Sequence, residues 1–287
     1  MHRERQSIYG EGISGARDVP IYHSARRGLI TIEELREVLR YRNLIYQLVR
    51  RDIVARYKRS ILGISWTMLN PLGMMIVLTF VFSNMFHMVK GYPAYVLSGL
   101  LAWTFFSQTT NAAIQSLVWG GEFFQRIYLP RSIFAISSIG TGLVNLLLSM
   151  IPLLIVMLVV GVPIRWTILL SPVAIILLAF FALGVGLLIS CLAIYFPDVV
   201  DMYQIILMAW FYLTPILYPF EIIPERFRSL MYLNPMLSFV NLFRIPIYDG
   251  RLPTAGDLVP AFAAALVTVS LAWWVFARKS DEFAYRT

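Results

Sequence analysis

The sequence predicts an all-α integral membrane protein: six transmembrane helices, an amphipathic interface helix ahead of the first, and short re-entrant helices between the fifth and sixth. Three observations carry this. Of 287 residues, 59% are hydrophobic and only 14% charged, whereas a soluble domain is roughly 45–50% apolar and about 25% charged. Six runs reach the length of about 20 mostly apolar residues that a bilayer crossing needs. The Lys and Arg residues fall unevenly between those runs.

Residues 1–30, rich in Arg, Gly and Ser, are expected to form a flexible cytoplasmic N-terminus. They hold no apolar core of signal-peptide length, so the first span is expected to do the targeting. Across 31–59, Leu35, Val38, Leu39, Tyr46, Val49 and Ile53 recur at helical spacing with one break at Arg42, while Arg36, Arg40, Arg50 and Arg51 occupy other faces. That pattern predicts an amphipathic helix lying in the headgroup plane. Six charges stand in RRDIVARYKR, and no Asp, Glu, Lys or Arg follows until Lys90. Residues 60–287 are expected to form the membrane domain, with spans at 64–86, 93–119, 132–160, 167–194, 202–219 and 258–277. A weaker apolar patch, Leu230–Leu242, is interrupted by Asn234 and Pro235 and reads as a re-entrant or surface segment.

Orientation follows from the positive residues. Residues 1–63 hold 13 of the 24; Arg126 and Arg131 lie between spans two and three, and Arg278, Lys279 and Arg286 follow the last. The other side has Lys90, Arg165, Arg226, Arg228, Arg244 and Arg251. Positive residues favour the inner side, so both termini are expected in the cytoplasm and residues 220–257 outside. The net charge of +8 is read as contact with anionic headgroups rather than nucleic acid. Cys191, the only cysteine, excludes an intrachain disulfide.

The six runs contain no Asp, Glu, Lys, Arg or His; His87 falls just past the first. Ion-coupled carriers and proton pumps usually keep ionisable groups at mid-depth, so this counts against them, and no run has the Arg series of a voltage sensor. The chain also lacks G-x-x-x-x-G-K-[ST]: Lys58 and Lys90 precede Arg and Gly, and Lys279 follows Arg278 rather than Gly. Any uphill work must come from another subunit. Asp198 and Asp201, in FPDVVD, admit two readings: a carboxylate pair for Mg²⁺, or acidic residues complementing a helix N-terminus. No metal site and no catalytic residue is expected. Two other classes stay open, a membrane-embedded enzyme of glycan or lipid assembly and an ion-coupled lipid-sugar flippase; each would act when reconstituted alone.

Four segments, RRDIVARYKRSILGISWTMLNPL, EFFQRIYLPRS, FPDVVDMYQIILMAWFYLTPILYP and YLNPM, together resemble the permease subunit of the bacterial ABC exporters of lipid-linked polysaccharide, the O-antigen, capsule and teichoic acid type. The resemblance runs from about Arg50 to the C-terminus. It implies a homodimer in the bacterial cytoplasmic (inner) membrane, joined to two copies of a cytoplasmic ABC ATPase subunit, with a channel between the permeases. ATP and Mg would be held by that ATPase and no cofactor by this chain. The cargo would ride on an undecaprenyl-type diphosphate lipid. The resemblance further implies that loop 120–132 couples to the ATPase, with Glu122, Arg126, Tyr128, Pro130 and Arg131 as contacts. Residues 220–257 would close the outer side, with Pro215, Tyr218, Pro219, Asn234 and Pro235 at an outer gate.

Under that reading, Arg50, Arg51, Arg56, Lys58 and Arg59 would meet the lipid diphosphate, since guanidinium forks match phosphate oxygens; ordinary anionic lipids would serve them equally well. Gln108, Asn111 and Gln115 are spaced three and four apart, which aligns their amides on one helix face. A passage for sugars needs hydrogen-bonding groups without fixed charge. Trp103, Phe106, Trp210 and Tyr212 would add aromatic surface for the apolar faces of sugar rings. The competing explanations are that membrane amides join helices and that Trp and Tyr gather at the interfaces. Gly184 and Gly186 allow close helix approach.

Overall fold

A computed structural model describes residues 36, 38–58, 63, 65–118 and 131–283 of the chain. Among them the only regular structure is helical. Hydrocarbon offers backbone groups no hydrogen bonds, and a helix supplies all of them within one segment. The α-helices are α1 (Arg42–Tyr57), α2 (Ser65–Phe82), α3 (Tyr92–Val118), α4 (Ser132–Val160), α5 (Ser171–Tyr195), α6 (Val199–Leu213), α7 (Glu225–Met231), α8 (Pro235–Arg244) and α9 (Ala255–Phe283). A 3₁₀ turn, Trp166–Leu170, leads into α5, and a wide turn, Ile245–Asp249, follows α8.

Among the described residues, four segments are long and apolar enough to cross a membrane: Ser65–Phe82, Ser132–Val160, Trp166–Tyr195 and Ala255–Phe276. These correspond to the first, third, fourth and sixth expected spans. The other two differ for distinct reasons. α3 is 27 residues long, but protein surrounds it, and its surface includes Ser98, Thr104, Thr109, Thr110 and Asn111. α6 has 15 residues, or about 22 Å at 1.5 Å per residue. It ends at Leu213 rather than continuing to 219, because Pro215 brings no N–H and pushes its predecessor out of helical geometry; Thr214 is extended at φ −101° and ψ 130°. The first span also stops early, at Phe82 rather than 86, and turns occupy residues 83–85. α9 starts at Ala255, ahead of the expected Leu258.

α3 is the hub. It packs against α2, α4, α5 and α8, and Phe106, Phe181 and Phe239 stack from α3 through α5 to α8 with ring centroids 5.4 and 4.6 Å apart. α4 ends where Gly161 takes φ 78°, a left-handed conformation open to glycine. The following Val162 N–H returns to Met157 O at 2.8 Å, completing a helix-ending motif that satisfies a terminal carbonyl.

α1 packs on α4, with Val49 against Gly140. Only part of the expected apolar stripe turns inward. Val38 and Leu48 are buried, whereas Leu39, Tyr46 and Val54 are exposed, as are Arg50 and Arg51. Leu48, outside the expected stripe, buries because the α4 surface, not the polarity pattern, selects the face.

The two glycines of α5 do bring helices together. A Cβ on Gly184 would stand 2.8 Å from the backbone of Thr268 and Val269 in α9, and one on Gly186 would stand 3.1 Å from Ala113 Cβ in α3. Small residues let membrane helices approach, and backbone cannot step aside as a side-chain tip can. Gly184→Val is therefore expected to destabilise the protein by about 1–3 kcal/mol, seen as earlier loss of the monodisperse peak on heating in detergent. Gly73→Ala, where nothing comes within 4 Å, serves as the comparison; equal melting of the two variants would refute close α5–α9 packing.

Candidate functional site

Beyond Leu213 the chain runs as TPILYP, and its backbone has no helix to satisfy it. Side chains from two other elements, α3 and α8, take over. Arg244, at the end of α8, donates Nη1 to Pro215 O at 2.8 Å and Nη2 to Ile216 O at 2.7 Å and Tyr95 O at 3.3 Å. Its guanidinium also lies 3.7 Å from the centre of the Tyr95 ring, a cation–π arrangement. Tyr92 Oη donates to Leu217 O at 2.7 Å and Tyr95 Oη to Tyr218 O at 3.0 Å. Four consecutive carbonyls are thus capped by one arginine and two tyrosines. Arg244 is 3% exposed and forms no ion pair with a described carboxylate. Gly99 makes room for it, since a Cβ there would collide with the guanidinium.

Asn234 makes the second tie. Its Oδ1 accepts from Met236 N–H at 3.0 Å, which caps α8, and from Trp210 Nε1 at 2.7 Å. Its Nδ2 donates to Thr214 Oγ1 at 3.0 Å and Leu213 O at 3.3 Å. One amide therefore joins the start of α8 to the end of α6. Around the same end of the bundle, Tyr248 Oη donates to Lys90 O, and Arg251 forks onto Asp257 at 2.7 and 3.2 Å. Burial pushes the Tyr248 phenol up to about 12. Burial likewise raises the Asp249 carboxyl above its ordinary range, against the pull of Arg251 and Arg244.

A different feature lies towards α1. Helices α2, α3 and α4 line a cavity of about 720 Å³, inside the roughly 300–1,000 Å³ of small-molecule sites. It extends along α4 from Ser138 to Ser149, about 16 Å at 1.5 Å per residue. Amides from Asn70, Gln108 and Asn145 and hydroxyls from Thr104, Ser138 and Thr141 line it, with Trp66 and Phe105 as aromatic walls. Among the described lining residues Asp52 of α1 is the one that is ionisable, and it is already held by Arg51 at 2.9 Å. Ser149 Oγ donates to Thr67 O at 3.2 Å and stitches α4 to α2. The Thr141 hydroxyl is buried without a hydrogen-bond partner among the described residues.

Residues 43–248 match the family model described as ABC-2 type transporter. The chain belongs to the ABC-2 type transporter family. It is 32% identical over 259 residues to the O-antigen export system permease protein RfbA of Myxococcus xanthus, covering 88% of this chain and 98% of that protein. It is 27% identical to the O-antigen export system permease protein RfbA of Klebsiella pneumoniae, covering 79% and 88%. Identity to the polysialic acid transport protein KpsM of Escherichia coli is 23%, covering 76% and 86%. The ABC-2 match includes the cavity and the Arg244 junction, and leaves α9 outside.

The candidate residues of this ABC-2 chain separate into groups. Pro215, Tyr218, Asn234 and Pro235 meet at the junction, and Pro219 opens the short turn Phe220–Ile222 beside it. The expected passage set does not share one surface. Gln108 lines the cavity, Asn111 instead accepts from Gln204 Nε2 of α6 at 2.9 Å, and Gln115 and Tyr212 are exposed. Trp103 is 7% and Phe106 0% exposed, so within the protomer both fill the core. Trp103 meets Trp210 edge-on at 6.2 Å. Helical spacing gives a face but not the neighbour that covers it.

Arg50, Arg51 and Lys58 are exposed on or beside α1; Arg56 is a position in α1, and Arg59 lies outside the described residues. Glu122, Arg126, Tyr128 and Pro130 also lie outside them. Arg131 precedes α4 and is 8% exposed, and burial holds its guanidinium below the usual range. Asp201 is in the first turn of α6, and no group of three His, Cys, Asp or Glu among the described residues is placed to hold a metal.

Sequence reading missed Arg244, Tyr92 and Tyr95. The available signal was FVNLFRIP, a single cation ending an apolar helix, and an ionisable residue in such a setting marks a specific partner.

Proposed function

We propose that this chain is the channel-forming permease subunit of an ATP-driven exporter that moves a lipid-linked polysaccharide, of the O-antigen or capsule type, across the bacterial cytoplasmic membrane. The observation that carries this is the similarity to an O-antigen export permease over 98% of that protein's length. The absence of Asp, Glu, Lys, Arg and His from the six apolar runs agrees with work supplied from outside the chain rather than by a bound ion.

In this reading two copies of the chain join two copies of a cytoplasmic ABC ATPase, which holds ATP and Mg. α3 and α6 cross the bilayer with the four longer segments, and the capped TPILYP stretch completes the short crossing of α6. Both termini are cytoplasmic, in keeping with the distribution of Lys and Arg. α1 lies at the inner headgroup level with Arg50 and Arg51 towards lipid phosphates, and loop 120–132 meets the ATPase.

Deleting the gene in its host is expected to abolish the surface polysaccharide while its lipid-linked form accumulates inside. Proteoliposomes containing the chain and its ATPase are expected to move that lipid-linked form only with ATP. Turnover or accumulation by the chain alone would overturn the proposal in favour of an enzyme or an ion-coupled flippase.

A further inference from the structure

We infer that the cavity between α2, α3 and α4 is a binding site for an uncharged, hydroxyl-rich glycosyl unit of the cargo, one site in each protomer; this rests on the export function proposed above. Five properties of the cavity select that chemistry. None of the described lining residues is basic, so a phosphate would meet Asp52 and no counter-charge among them, and the phosphates of a lipid-linked sugar would belong with the exposed arginines of α1. Amides of Asn70, Gln108 and Asn145 offer donors and acceptors without fixed charge, which suits sugar hydroxyls. An acyl chain would gain nothing from them and would cut them off from water at a cost.

The aromatic members give the site a second kind of surface. Trp66 and Phe105 line the same space, and a sugar ring has apolar C–H faces that flat rings can cover. Size fits as well: about 720 Å³ is within the range of sites that enclose small organic ligands. Finally, Thr141 buries a hydroxyl with no partner among the described residues, and Thr141 itself is 8% exposed. Such a group is costly unless something completes it. By contrast, the hydroxyls of Thr109 and Ser138 already donate to their own helix, at Phe105 O (2.6 Å) and Phe134 O (3.0 Å).

The test uses the full chain in its host. Trp66 is 56% exposed and Phe80, further along α2, is 86% exposed; each is replaced in turn by the photoreactive residue p-benzoylphenylalanine. Illumination is expected to give a polysaccharide-bearing, periodate-sensitive adduct at Trp66 and not at Phe80. Equal adducts at both positions, a phospholipid adduct alone, or no adduct would overturn the inference.

Two substitutions sharpen it. Thr141→Val removes the unpartnered hydroxyl at constant shape, so a purely structural residue would leave the protein unchanged or more stable. The site predicts instead that adduct yield and export fall about fivefold or more, with membrane abundance and melting unchanged, and that Thr141→Ser restores them. Gln108→Leu, on the exposed part of the lining, is expected to act in the same direction. If deletion of the gene abolishes surface polysaccharide but these variants export and crosslink like the parent, this inference fails alone. If deletion leaves the polysaccharide intact, the export function itself fails.

Discussion

Arg244→Leu is expected to destabilise the protein more than any other single change considered, by about 3–5 kcal/mol. Its guanidinium serves Pro215, Ile216 and Tyr95 carbonyls at 2.7–3.3 Å. Hydrogen bonds from a charged donor contribute about 1.5–3 kcal/mol each, and abandoned buried carbonyls add a desolvation penalty. Part of that sum is already offset in the parent, because the charge is taken from water without a carboxylate partner. Arg244→Lys retains the charge but has no planar fork to reach two adjacent carbonyls and stack on Tyr95, so it is expected to fall between the two. The measurements are thermal unfolding in detergent and protease cleavage within 214–219, which should become faster. If Arg244→Leu melts and resists protease like the parent, the capping account of the TPILYP segment is wrong.

Asn234→Leu comes next, at about 2–4 kcal/mol. The substitution removes the α8 cap and the acceptor of Trp210 Nε1, and takes a donor from Leu213 O and from Thr214 Oγ1, which keeps only its own bond to Trp210 O at 2.8 Å. Asn234→Asp separates these contributions. A carboxylate keeps both acceptor roles but cannot donate, so Asp should recover the cap and the Trp210 contact and not the tie to α6. The readout is again melting temperature, together with hydrogen exchange at Met236 N–H, which should stay protected in the Asp variant and exchange readily in the Leu variant. Protection in Asn234→Leu would mean that α8 is held by packing alone.

Both expected effects converge on one place, where α6 stops short and another part of the chain satisfies its loose end. This is the requirement the bilayer places on irregular backbone, met here by Arg244 from one side and Asn234 from the other. The α2–α3–α4 cavity lies apart from it, towards α1, and its described lining is mostly amides, hydroxyls and apolar groups, with Asp52 the one charged residue among them. Export of a polymer calls for two properties that conflict in a single surface: firm closure, and contacts weak enough to release. On the proposed reading the two would fall to separate residues: closure to the junction, whose carbonyls Arg244, Tyr92 and Tyr95 cap, and release to the amides and hydroxyls of the cavity.

The amino-acid order determined the helical class and the run of α2, α4, α5 and α9, because long stretches without charge have few stable forms in or near a bilayer. It also placed α3 to within a residue of its ends. The close approach at Gly184 was legible too, since only a missing side chain permits it. What depended on neighbours was not. The face of α1 that buries, the covering of Trp103 and Phe106, and the separation of Gln108 from Asn111 and Gln115 all follow from which helix lies alongside, and periodicity does not specify that. Arg244 shows the limit most clearly. In sequence it counts as one more loop cation; only packing, by bringing Gly99, Tyr95 and the TPILYP carbonyls around it, turns a residue that should seek water into the one that holds an unwound segment together.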